Sequence, residues 1–224
     1  MDELVKQALA KWPDVPDCTG WLALDARGRW RIGEAGAGPR QPITHSAMIA
    51  FINRNYVAAD RCWYFQNGPQ RVFVELEYTP FVWRLVPLYA GTWDLVAHTG
   101  VSATPRAVWL DDAGRFLIEA KSEGGEHRVG VVHDHDTALI ADLLRDQDGD
   151  PLDDEAMARL TTRHDDLATE TVATTAAKLR WVTASGVSPL ELPLHRIAAD
   201  AVSTRFEFEP RPSMVVRVDV DTRR

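Results

Sequence analysis

His133-Asp134-His135-Asp136 brings metal-ligand residue types together at close spacing. Two histidines one residue apart at a strand end point both rings to one face, which supplies two ligands of a zinc or iron site. Further ligands would come from His127, Asp146, His164 or His195, and spacing does not choose among them. With an acid from the run Asp146 to Glu155, the chemistry would be that of a metal-dependent hydrolase, so a divalent metal belongs to this reading alone. The competing reading is a polar loop that feeds and caps a helix. No Gly-x-Ser-x-Gly and no His-Glu-x-x-His occurs. Arg61 beside Cys62 is the sole basic neighbour of either cysteine, so Cys62 reads as core rather than as a reactive thiol.

A second set of polar residues lies in or near Cys62 to Pro87, the most aromatic stretch of the chain. Glu75 and Glu77 share one strand face, within reach of Arg71 or Arg84 if a neighbouring strand pairs there. His45, Arg71, Glu75 and Arg84 are therefore the candidate ligand-binding residues. The alternative is a solvated sheet face with cross-strand ion pairs. His45 falls in the first turn of a helix.

Two further motifs fail their templates. Gly33 to Pro39 is rich in glycine and alanine, yet it lacks the Gly-Lys-Ser/Thr ending and the dinucleotide spacing of phosphate loops. The acidic run Asp146 to Glu155 resembles a calcium loop, but Pro151 stands where glycine should turn and Met157 where the bidentate glutamate belongs. A helix start explains it better: Asp153 caps, Asp154 and Glu155 suit the dipole, and Leu152 with Met157 forms a staple.

The elements that must position these residues follow from periodicity. Helix 2–12 carries the stripe Leu4, Val5, Ala8, Leu9 and Trp12, and Pro13 ends it. Hairpins read at Gly20 to Ile32 and at Arg106 to Ala120. Thr44 caps a helix in which Ala47, Met48, Phe51, Ile52 and Tyr56 recur at helical spacing. Cys62 to Pro87 reads as three strands, with a turn at Asn67-Gly68 and a break at Pro80. Helices are expected up to Thr162 and from Asp166 to Lys178. Strands are expected at Leu179 to Ala184 and Pro189 to Leu194, joined at Ser185-Gly186. Alternating patterns at Arg205 to Glu209 and Met214 to Val220 suggest two more, before a frayed end at Asp221 to Arg224.

Leu24-Asp25-Ala26-Arg27-Gly28-Arg29-Trp30-Arg31-Ile32 aligns with Leu110-Asp111-Asp112-Ala113-Gly114-Arg115-Phe116-Leu117-Ile118. Leu, Asp, Gly, Arg and Ile coincide, and a capped helix and strands follow each copy, opening at Trp63 in one and Trp181 in the other. The fold class is therefore α+β, as two small sheet-plus-helix units with a repeated hairpin-helix-strands motif. The expected units are 1–97 and 98–224, the latter with a helical insertion at 142–178.

Composition excludes several functions. The 224 residues carry a net charge of −8, which argues against broad nucleic-acid or anionic-membrane binding. No apolar run approaches a membrane span of about 20 residues, and the Met-Asp-Glu start lacks a secretory pattern. The cytoplasm is the expected compartment, with Cys18 and Cys62 reduced.

Gly28-Arg29-Trp30, Pro42-Ile43 and Val72 to Phe81 together resemble the uncharacterised bacterial proteins grouped as domain of unknown function 1285, or a sister family, over about residues 20–90. The resemblance implies a two-domain α+β protein with a repeated motif, linked to signalling or ligand binding. It departs at Thr44-His45-Ser46, where an arginine would be expected, and it carries over no functional residue. The expected function is a small-molecule-binding or regulatory protein with its ligand in the groove between the halves and no cofactor. The alternatives are the hydrolase and a non-enzymatic homo-oligomer that binds a protein partner through aromatic surface.

Overall fold

The computed structural model describes residues 1–89, 91–122, 124–161, 172–182 and 189–212. The turn expected at Ser185-Gly186, the strand at Met214 to Val220, the tail Asp221 to Arg224 and the candidate ligand His164 lie outside the described residues. The chain is α+β, built on two sheets.

The first sheet holds β1 (Cys18–Leu24), β2 (Trp30–Ile32), β3 (Gln41–Pro42), β4 (Tyr56–Ala59), β5 (Cys62–Asn67) and β6 (Gln70–Leu76), in the order β3-β2-β1-β6-β5-β4. Helix α1 (Glu3–Lys11) precedes it, and α2 (Ser46–Arg54) joins β3 to β4. The second sheet holds β7 (Phe81–Pro87), β8 (Trp93–Ala97), β9 (Ser102–Asp111), β10 (Phe116–Ser122), β11 (His127–Val132), β12 (Leu144–Arg145), β13 (Val172–Trp181) and β14 (Leu190–Ile197). Its helices are α3 (Thr137–Leu143), α4 (Asp154–Thr161) and the short α5 (Val202–Arg205).

The repeat is structural. Strands β11-β10-β9-β14-β13-β12 lie in the same order as β3-β2-β1-β6-β5-β4, with α3 standing where α2 stands. Even the registers agree. Leu22 pairs with Val74 and Leu24 with Leu76 across the parallel pair β1 and β6. Val108 pairs with Leu194 and Leu110 with Arg196 across β9 and β14. Leu24 faces Trp30 in one hairpin, and Leu110 faces Phe116 in the other.

The β7–β8 hairpin lies between the copies. β7 pairs antiparallel with β8 and parallel with β11, and β9 pairs with both β8 and β10, so β7-β8-β9-β10-β11 closes into a ring. Closure forces a tight interior. Trp83 is fully buried, and its indole N–H donates to the Ile118 carbonyl at 2.9 Å. Gly130 leaves the space for it: a Cβ there would lie 2.6 Å from Trp83 Nε1.

One apolar core spans both sheets. Trp30, Tyr56 and Trp63 from the first meet Phe81 and His98 from the second, with ring centroids 4.9–5.9 Å apart. Edge-to-face contacts of this kind add to burial. Asn53 of α2 ties the cluster together: it accepts from the Trp30 indole at 2.7 Å and donates to the His98 carbonyl at 3.2 Å. His98 Nδ1 accepts from the Val82 amide at 3.3 Å, so the ring proton sits on Nε2, which has no partner among the described residues.

Several expectations are corrected. Phe81 to Ala97, read as part of the first unit, pair within the second sheet, so the chain changes sheets at Pro80. Alternation reports a strand but not which sheet receives it. The helix read over Asp166 to Lys178 is a strand from Val172 onward, where Val, Thr and Ala pair with β14. Trp181 thus ends a strand rather than opening one. Phe206 and Phe208 follow a helical turn rather than alternating along a strand. His45, not Thr44, is the N-cap of α2. In α1 Val5 alone is buried, while Leu4 and Trp12 are exposed. Asp153 does cap α4, accepting from the Ala156 amide at 2.7 Å.

Candidate functional site

The repeated Leu-Asp-x-x-Gly-Arg builds one device twice. Asp25 Oδ1 accepts from the amides of Arg27 (3.0 Å) and Arg29 (2.9 Å), and Oδ2 from Arg29 Nε at 2.8 Å. Asp111 does the same with the amides of Ala113 (2.9 Å) and Arg115 (2.8 Å) and with Arg115 Nε at 2.6 Å. Gly28 and Gly114 take the positive φ each turn needs, +76° and +78°. The carboxylate thus closes the turn and also fixes the direction of its arginine.

A fourth donor completes each carboxylate. Arg31 Nη1 reaches Asp25 at 3.3 Å, and the Tyr78 hydroxyl donates to Asp111 at 2.6 Å. Burial pushes the Asp25 pKa up, but the Arg29 and Arg27 hydrogen bonds outweigh it and hold the group below its ordinary value. Burial and the bond to Asp111 raise the Tyr78 hydroxyl. The Tyr78 ring lies 3.7 Å beneath the Arg115 guanidinium. Tyr78 follows β6, so the first copy braces the arginine of the second.

The two turns meet across a cleft of about 240 Å³ lined by Asp25, Arg27, Arg29, Glu77, Arg115 and Asp134, with Val131, Val132 and Thr137 among its apolar and neutral walls. Arg27 and Asp134 form an ion pair that joins the first hairpin turn to the approach to α3. This pairing lowers the Asp134 pKa against the opposing effect of burial. Glu77 stands at the rim, accepting from the Ala26 amide at 3.2 Å.

His133, Asp134 and His135 do come together, with one ligand atom of each within 4.8 Å of the others. Their present bonds are internal. His133 Nδ1 accepts from the His135 amide at 3.2 Å and lies 2.8 Å from Asp134 Oδ1, while Asp134 also holds Arg27. Burial, then the nearby Arg84, lowers the His133 pKa and favours the neutral ring. Asp146 accepts from the amides of Asp148 and Asp150, both at 2.9 Å, and so closes its own loop.

The four residues expected to line a ligand groove are held by separate partners. His45 is exposed and caps α2 through Nδ1, accepting from Met48 N at 3.3 Å. Arg71 is paired with Asp17 at 2.7 and 2.8 Å. Arg84 grips Asp136 at 2.7 and 3.3 Å, and Asp136 also accepts from the Leu85 amide at 3.0 Å. Glu75 is clamped by Arg40 at 2.7 and 3.0 Å, beside a second groove of about 430 Å³. Arg40 further bonds the carbonyls of Gly33 and Gly20, so it secures the glycine-rich loop. Of these four, Glu75 alone lines either cleft.

The residues that do converge on the cleft are Asp25, Arg27, Arg29 and Arg115, with the buried Asp111 holding Arg115 from behind. Their signal lay in the aligned hairpins: the coinciding Asp, Gly and Arg are the clamp carboxylate, the turn glycine and the clamped arginine.

Among solved structures, the chain is similar to a DUF1285 family protein from Silicibacter pomeroyi DSS-3, with 16% identity over 69% of this chain and 87% of that one and a TM-score of 0.42. It is similar also to a DUF1285 family protein from Shewanella baltica OS155, with 13% identity over 54% of this chain and 89% of that one and a TM-score of 0.37. These belong to the family that the Gly28 to Phe81 pattern resembles. No curated protein matches. The family DUF2944, described as "Protein of unknown function (DUF2946)", matches residues 1–213. The chain therefore belongs to this uncharacterised family.

Proposed function

We propose that the protein is a small-molecule-binding regulatory protein whose ligand occupies the cleft between the two hairpin turns. One observation carries this reading: the duplicated Asp-Arg clamp directs two braced arginines, Arg29 and Arg115, to one concave site between the repeats. Clefts between structural units are frequent ligand sites. Rigid turns that hold their side chains before the ligand arrives lower the entropic cost of binding. The expected reading thus keeps its location but exchanges its residues.

The test is a thermal-shift screen of a metabolite panel on the wild type and on Thr137→Trp, which fills the cleft from its α3 side. A ligand that raises the melting temperature of the wild type but not of the folded variant supports the reading. Hits that stabilise both equally, or no hit at all, sink it.

A metal-dependent hydrolase is the second reading, supported by the proximity of His133, Asp134 and His135. A metal there would share the Asp134 carboxylate with Arg27. Stoichiometric zinc or iron in the purified protein, lost on His133→Ala, would favour it. Metal-free protein whose melting is unchanged by chelator would exclude it.

A further inference from the structure

We propose that the ligand of this cleft is a small doubly charged oxyanion, a dicarboxylate or a phosphate-bearing molecule, held by Arg27, Arg29 and Arg115. The inference rests on the cleft being the ligand site and adds the class of ligand.

The two clamps are one-sided in hydrogen-bonding capacity, while Glu77 and Asp134 in the same lining keep acceptor capacity of their own. An ionised carboxylate offers about four lone-pair sites. Asp25 accepts from Arg27 N, Arg29 N, Arg29 Nε and Arg31 Nη1. Asp111 accepts from Ala113 N, Arg115 N, Arg115 Nε and the Tyr78 hydroxyl. Neither has acceptor capacity left for a ligand. The guanidiniums are the reverse. Arg29 and Arg115 spend Nε on their clamp, and their terminal nitrogens have no hydrogen-bond acceptor among the described residues. Arg27 spends Nη2 on Asp134. Their side chains remain 55%, 39% and 53% exposed. What the clamps offer a visitor is therefore donors carrying positive charge, the chemistry that carboxylates and phosphates satisfy in bidentate fashion.

Geometry and size narrow the class. Arg115 is fixed on two sides, by Asp111 and by the Tyr78 ring. A volume of about 240 Å³ lies below the roughly 300–1,000 Å³ of drug-sized pockets. That is room for a short-chain metabolite rather than a drug-sized one. Val131 and Val132 give an aliphatic skeleton an apolar wall. The Asp134 carboxylate on Arg27 is an internal precedent, since one oxyanion from the chain already occupies this guanidinium. Glu77 at the rim opposes a second negative charge, so its removal should strengthen binding.

The experiment is titration calorimetry with thermal shift on the full chain, at low and at 0.5 M salt. The four probes are succinate, inorganic phosphate, 1,4-butanediol and 1,4-diaminobutane. Succinate or phosphate should bind saturably and weaken with salt, and the stronger of the two identifies the source of the oxyanion. Arg115→Gln should weaken that binding about tenfold or more, as expected for a lost hydrogen bond between charged groups. Arg27→Gln lies outside the clamp, so it tests the same site if Arg115→Gln fails to fold. Glu77→Gln should tighten binding. Binding of the diol or the diamine in the cleft, lost in Thr137→Trp, would overturn the oxyanion while leaving the ligand-site reading intact. Oxyanion binding indifferent to Arg27→Gln and Glu77→Gln would also overturn it. If no probe binds, the oxyanion class falls, and the metabolite screen alone then decides whether the site does.

Discussion

At the scale of single residues, His98 carries the clearest physical consequence. Burial, with the nearby Arg128 adding to it, pushes its pKa from the ordinary 6.5 down to about 3. Between those values the unfolded chain binds a proton that the folded chain refuses. Stability is complete above about pH 6.5 and falls as pH drops toward 3, by up to about 1.4 kcal/mol per pH unit from this group. Urea unfolding of the wild type and His98→Asn should separate the contribution, because asparagine keeps an acceptor for the Val82 amide but cannot titrate. The wild type should lose about 2 kcal/mol more than the variant between pH 6.5 and pH 5. Parallel losses would show that His98 does not titrate this way. The sequence gives no hint of this role: His98 looks like one polar residue in the small, polar stretch up to Pro105, and only the fold surrounds it with Trp30, Tyr56 and Phe81.

At the scale of elements, the two hairpin turns share a sequence pattern and a register yet differ in surroundings. Gly28 has φ +76° and would place a Cβ 2.7 Å from His98 Cβ, whereas Gly114, at +78°, has nothing within 4 Å of one. Gly114→Ala should therefore cost about 1 kcal/mol, the backbone penalty alone. Gly28→Ala should cost at least about 1–3 kcal/mol more, because it also overpacks the core. Chemical denaturation of both variants checks this, and equal losses would contradict it. The hairpins were legible because Leu-Asp-x-x-Gly-Arg encodes its own turn. β7 was legible as a strand but not as a member of the second sheet, since its partner β11 lies far along the chain. The helix read before Lys178 failed for a related reason: pairing with β14 outweighs weak local preference. Glu75 was expected within reach of Arg71 or Arg84, yet Arg40 holds Glu75 and Asp17 holds Arg71, both from remote loops.

For the whole molecule, the decisive fact is that the core is continuous. Trp30, Tyr56 and Trp63 pack with Phe81 and His98 across the change of sheet, and the Tyr56 hydroxyl donates to the Pro80 carbonyl at 3.1 Å. The repeats should then melt as one unit. Calorimetry should give one transition with matching calorimetric and van't Hoff enthalpies. Phe81→Ala should lower stability by about 3–5 kcal/mol without splitting that transition. Two resolved transitions would mean that the repeats fold separately. The cleft belongs to this scale as well. Each turn could be read alone, but that they face each other follows only from the packing of the two copies.

The closed ring has one more consequence, for how the protein keeps to itself. Open sheets end in unpaired backbone that can recruit strands from other molecules. Here β7, β8, β10 and β11 each have a partner strand on both sides. The outermost described strands are β3, β4 and β12, of two, four and two residues, and Pro42 in β3 lacks the amide that a recruited strand would need. The described strands thus offer little template for sheet growth, so protection against aggregation is built into their topology.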